Sequence, residues 1–153
     1  MSEIKRPIFQ PPNVYPTKDT IITLTVDTHK IFEAPNQEKV IESVTFDDNR
    51  GDGLGTDGPN YLSTIIKNNF VTWIGTVKEI EKYPNDQVLI YQISNNQAVV
   101  IPNASSGYGR THVDGRAVNR VIDEPQEYSI SIWVLHEGNG QGFIIDPKIQ
   151  VHS

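Results

Sequence analysis

The chain has 153 residues, Lys+Arg 13 against Asp+Glu 19 for a formal net charge of -6, and no cysteine. That length suits one domain with a real apolar core. The charge argues against nucleic acid, whose phosphates call for a basic stripe, and the lack of thiols excludes disulfides, thiolate zinc sites and cysteine nucleophiles.

Four of the ten prolines, Pro7, Pro11, Pro12 and Pro16, fall in the first 16 residues. Proline fixes φ and removes a backbone donor, so residues 1–17 are expected to form an extended arm, followed by a single domain over 18–153. The opening MSEIKRPIFQPPNVYP has no apolar h-region, and no apolar run reaches bilayer length. Neither a signal peptide nor a membrane span is expected, and the cytoplasm is the default location.

Beyond the arm come short runs rich in β-branched and aromatic residues, separated by Gly, Pro and Asn clusters. Strands are predicted at TIITLTVDT, VIESVTF, YLSTII, FVTWIGTV, QVLIYQI, AVVI, YSISIWVL, GFII and KIQVH. The pattern is all-β, an antiparallel two-sheet β-sandwich of about seven to nine strands. Its expected core is Ile22, Leu24, Val26, Val44, Phe46, Ile66, Trp73, Val88, Ile90, Ile130, Ile132, Val134 and Ile145. Alternation is clearest from Tyr128 to Leu135, where Tyr128, Ile130, Ile132 and Val134 share an apolar face. The glycine-rich HEGNGQG predicts a hairpin, and Pro147 a bulge, bend or edge. The best helix candidate, TVKEIEKYPND, holds only about two turns before Pro84.

Charge is segregated along the chain. Asp27 to Asn60 carries eight acidic residues against three basic ones, whereas Pro102 to Arg120 carries Arg110, Arg116 and Arg120 against Asp114 alone. Two long loops therefore have opposite sign and could pair between subunits. The acidic loop FDDNRGDGLGTDGPNY fails both EF-hand registers, which lack the twelfth-position glutamate. A looser calcium site from Asp47, Asn49, Asp52 and Asp57 is an alternative to a solvated Gly-rich turn, which Asp, Asn and Gly commonly build. Its Arg-Gly-Asp tripeptide is accounted for by chance in a loop of this composition.

His29, His112, His136 and His152 are scattered without a metal-binding spacing, and a metal or catalytic role would need convergence supplied by the fold. No serine lies in a nucleophile elbow, and no local Ser, His and Asp set suggests acyl transfer, so the reading is non-enzymatic. Trp73 and Trp133 sit in predicted strands, where tryptophan either fills a core or stacks on a sugar ring.

In order along the chain, IITLTVDTHKI resembles the early VDTDxI strand of the bacterial AidA/PixA inclusion-body proteins, FVTWIGTV with DQVLIYQI resembles their tryptophan strand and its partner, and GFIIDPKIQV is similar to their terminal DPxIxV. The resemblance implies a soluble cytoplasmic bacterial β-sandwich protein that accumulates in dense inclusions and needs no cofactor, with sugar binding in some members. The expectation is thus a self-associating protein whose arm (Pro7, Pro11, Pro12) and arginines (Arg110, Arg116, Arg120) mediate assembly. The alternative is a lectin-like, carbohydrate-binding module, calcium-assisted or not.

Overall fold

The computed structural model describes residues 19–50, 61–101 and 111–153. The expected arm, together with Asp52, Asp57 and Arg110, lies outside them. In chain order the elements are β1 (Thr20–Val26), α1 (Thr28–Phe32), α2 (Gln37–Glu42), β2 (Val44–Asp48), β3 (Leu62–Ile66), β4 (Phe70–Val77), β5 (Gln87–Ser94), β6 (Val99–Val100), β7 (His112–Ala117), β8 (Ile122–Glu127), β9 (Ser129–His136), β10 (Asn139–Ile145) and β11 (Lys148–His152).

Strands dominate, but the arrangement is not two purely antiparallel sheets. Hydrogen bonding orders them as β2-β1-β4-β7-β6, β10-β9-β5 and β3-β11-β8. Two pairs are parallel, β1 with β4 and β3 with β11, which a reading based on consecutive hairpins does not anticipate. Each parallel pair joins strands distant in sequence, and no local turn signal encodes such a pairing. Where β4 of the first sheet meets β5 of the second, Gly75 makes the approach close: a Cβ there would lie 2.8 Å from the Val88 carbonyl oxygen.

The connection from β1 to β2 is helical, contrary to expectation. Asp27 caps α1 by accepting the Lys30 N–H at 3.0 Å, and Asn36 caps α2 by accepting the Lys39 N–H at 3.0 Å. These bonds satisfy donors that each helix start would leave orphaned. Val40 to Glu42, expected to open a strand, close α2 instead, and β2 starts at Val44. The favoured helix candidate around residues 78–83 is a run of turns.

β7 and β8 were not anticipated, because HVDGRA and IDEPQE lack apolar alternation. β8 lies at the edge of its sheet, opposite an irregularity in β11, where Pro125 is tolerated without a ladder donor.

The predicted core is buried except at Ile66. In β3 the inward positions are Ser63 and Ile65, so the phase is shifted by one residue. A buried serine in the inward series hid the phase, and a one-residue slip exchanges faces. Trp73 is fully buried and donates its indole N–H to the Tyr128 hydroxyl at 3.0 Å. Between β9 and β10 the turn residues Glu137 and Gly138 have φ of 49° and 87°, the left-handed pair of a type I′ hairpin. Asp146 and Pro147 separate β10 from β11 and carry the chain from one sheet to another. No helix among the described residues is long and apolar enough to cross a membrane.

Candidate functional site

The inward series of β9 continues past its apolar members. Tyr128, Ile130, Ile132 and Val134 are buried, and the next residue in phase is His136, which is also buried. An imidazole on the core side of a strand needs a partner. The register of β5 with β9 sets Gln87 against Leu135, so Asp86 stands beside the strand end. Its Oδ2 lies 2.7 Å from His136 Nδ1.

Asp86 gathers further donors. The Thr28 hydroxyl, from the first turn of α1, donates to Oδ2 at 2.6 Å, and the Glu137 N–H donates to Oδ1 at 2.9 Å. Burial works against ionisation of this carboxyl, but the bonds from His136, Thr28 and Glu137 outweigh it and hold Asp86 below the ordinary carboxylate range. An ionised carboxylate only accepts, so His136 donates its Nδ1–H to Asp86 and its Nε2 points away from Asp86.

Nε2 faces two exposed groups. His29 Nδ1 lies 3.3 Å away, and Glu137 Oε1 lies 3.2 Å away. Aromatic edges fix the ring: Tyr83 meets His136 at 4.8 Å and Phe32 at 5.5 Å, both edge-on, while Tyr83 also lies parallel to His29. The cluster is therefore assembled from α1, the start of β5 and the β9–β10 hairpin. Nothing in the spacing of 29, 86, 136 and 137 announces it. The one available signal is the β9 alternation, extended a step beyond Val134.

The remaining candidates among the described residues are dispersed. Asp47 accepts the Asp48 N–H at 2.9 Å. Asn49 accepts the Ile21 N–H at 2.8 Å, which ties the end of β2 to β1. Of the four calcium candidates these two are described. Trp73 belongs to the core, whereas Trp133 lies half-buried across the glycines of β10 with Tyr91 edge-on to it. A Cβ on Gly140 would come within 2.6 Å of the Trp133 ring. His112 is exposed, 3.9 Å from Asp114, and His152 is exposed at the end of β11.

A second feature is an apolar concavity of about 530 Å³ around Phe70, Val100, Arg116 and Val118. Phe70 and Val100 are 51% and 61% exposed, more than isolated core-forming side chains would be. The Arg116 guanidinium lies over the Phe70 ring at 4.8 Å, and Arg120 reaches the Gln97 carbonyl at 3.4 Å. Asp19, where the described chain begins, accepts the Phe70 N–H at 3.0 Å. Asp19 thus lies beside a residue that lines this groove.

No family model matches the sequence, and no curated protein matches it. Among solved structures, the chain is similar to the crystal structure of an inclusion body protein (PixA) from Burkholderia cenocepacia J2315, with a TM-score of 0.51 and 14% identity over 88% of this chain and 94% of that one. At that identity the likeness is one of fold, and it places this chain beside an inclusion body protein in architecture.

Proposed function

We propose that this chain is a non-enzymatic, self-associating protein of the inclusion-forming kind, in which residues 1–18 of one copy fill the Phe70–Val100 groove of a neighbour. The observation that carries the reading is the Asp19–Phe70 hydrogen bond, which sets the first described residue beside a ring that lines an exposed apolar groove. Pro7, Pro11 and Pro12 lack backbone donors, so that stretch suits an apolar groove with the exposed Phe70 ring better than a sheet interior. Exchange of an identical segment between copies is a low-cost route to oligomers. The opposed charges of the 27–60 and 102–120 regions suit the same geometry, with Arg110, Arg116 and Arg120 of one copy facing acidic groups of the next. The fold likeness to an inclusion body protein supports this reading, in which the chain accumulates in the cytoplasm.

The test is the solution mass of the full chain, of a chain lacking Met1 to Pro16, and of Phe70→Glu, measured by light scattering. Phe70 is half exposed, so the substitution spares the core. Both variants are expected to lower the assembly state; unchanged mass in both refutes the arm-in-groove reading.

A second reading, carbohydrate binding, is favoured by Trp133, whose ring lies flat on β10 beside Tyr91 in the manner of a sugar-stacking platform. Glycan-array retention that disappears in Trp133→Ala supports it, and an array with no retained glycan rejects it. Loss of retention with EDTA would add calcium through Asp47, Asn49, Asp52 and Asp57.

A further inference from the structure

We propose that His29, His136 and Glu137 form a binding site for a divalent transition-metal ion of the zinc class, coordinated by His29 Nδ1, His136 Nε2 and a Glu137 carboxylate oxygen, with water in the fourth position. Each of the three residues offers a ligand atom, and these atoms lie within 4.8 Å of one another.

The spacing fits a particular geometry. Zinc binds imidazole nitrogen at about 2.0–2.1 Å, and a tetrahedron of that radius has edges of about 3.3 Å. Two of the three edges match, at 3.3 Å from His29 Nδ1 to His136 Nε2 and 3.2 Å from His136 Nε2 to Glu137 Oε1, and the third closes within 4.8 Å. An octahedral magnesium ion would bring its ligands to about 2.9 Å, and calcium prefers an all-oxygen shell. Two imidazoles and one carboxylate serve zinc and, with several open positions, ferrous iron; the edges of about 3.3 Å are those of a tetrahedral ion and favour zinc.

The surroundings supply what such a site needs. With Nδ1 turned to Asp86, His136 directs Nε2 towards a Glu137 carboxylate oxygen and His29 Nδ1. Three ligand atoms converging in that way can meet one cation between them. Asp86 stands where a metal-bound histidine ordinarily has its orienting carboxylate, and Glu33 Oε2 lies 3.6 Å from the far nitrogen of His29. His136 is buried and boxed by Tyr83 and Phe32, while His29 and Glu137 are exposed, which leaves the solvent side open for entry of the ion. The ion would tie α1 to the β9–β10 hairpin, a role independent of assembly through the groove.

The experiment uses the metal-stripped full chain titrated with zinc chloride near neutral pH by calorimetry, alongside His29→Ala, Glu137→Gln and the double variant. Both altered side chains are exposed, so the fold should survive, and circular dichroism checks this. One zinc per chain is expected, with affinity falling at least 30-fold in His29→Ala and about 10-fold in Glu137→Gln. Cobalt in place of zinc should give the intense visible absorption of a four-coordinate ion, lost in the double variant. Absence of saturable binding overturns the proposal. So does zinc affinity unchanged in the double variant, since that would place the ion at other histidines.

Discussion

Replacing Asp86 with asparagine exchanges a buried anion for a neutral isostere and tests how the His136 cluster is held. In the native chain the carboxylate receives the His136 Nδ1–H at 2.7 Å, the Thr28 hydroxyl at 2.6 Å and the Glu137 N–H at 2.9 Å. A hydrogen bond to a charged group contributes about 1.5–3 kcal/mol, and breaking a buried charged pair costs about 3–5 kcal/mol. Asparagine retains one acceptor oxygen, so part of the network survives while its amide N–H groups face other donors. A loss of about 3 kcal/mol follows, near the lower limit for breaking such a pair. For a domain of this length that corresponds to about 6–12 °C in Tm. Urea denaturation followed by tryptophan fluorescence measures it. The sign of the pH dependence is also fixed. Because the folded carboxyl titrates below its ordinary value of 3.8, its stabilisation is complete above that pH and is lost as pH falls through the lower, folded value. The gap between native chain and variant should therefore close in acid. A variant within about 0.3 kcal/mol of the native chain at neutral pH, or a gap that does not shrink in acid, would refute the reasoning.

Three further outcomes are expected. Gly140→Val forces a Cβ to within 2.6 Å of the Trp133 ring; it should shift tryptophan emission and lower stability by about 1–3 kcal/mol, as overpacking does. Glu137→Asn places a residue tolerant of positive φ at the first turn position, and apo stability in urea should rise by a few tenths of a kcal/mol. Burial first and the Asp48 bond second push the Tyr61 phenol up, and burial pushes Tyr128 up, from an ordinary 10.0. Both should stay silent in an alkaline ultraviolet titration of the folded chain. The linked stability is full below pH 10 and erodes as pH climbs towards the folded values, so phenolate absorbance from these two residues should appear only with unfolding, as monitored by circular dichroism.

Much of the local structure was legible in the residues. Period-two alternation identified β9 and placed Ile130, Ile132 and Val134 inside, and the turn chemistry of Glu137-Gly138 closed the hairpin where the glycine-rich stretch indicated. β4 and β11 span the same residues in the sequence pattern and in the fold. Where local pattern was weak or mixed, the reading failed for physical reasons. Asp27 and Asn36 are ordinary N-caps, but the β-branched Val40 and Ile41 that follow suggest a strand when propensity alone is weighed. β7 and β8 owe their extended form to partners rather than to their own side chains.

The sequence by itself determined a cysteine-free, acidic β protein with a proline-rich N-terminal segment, because composition and short-range periodicity are properties of the chain alone. Only the tertiary structure decided the parallel pairings and the convergence of His29, Asp86, His136 and Glu137. The reason is topological: antiparallel registry sets Asp86 beside His136, the hairpin turn presents Glu137, and packing of α1 against β9 brings in His29. Residues more than a hundred positions apart become neighbours through strand order, which no local spacing records.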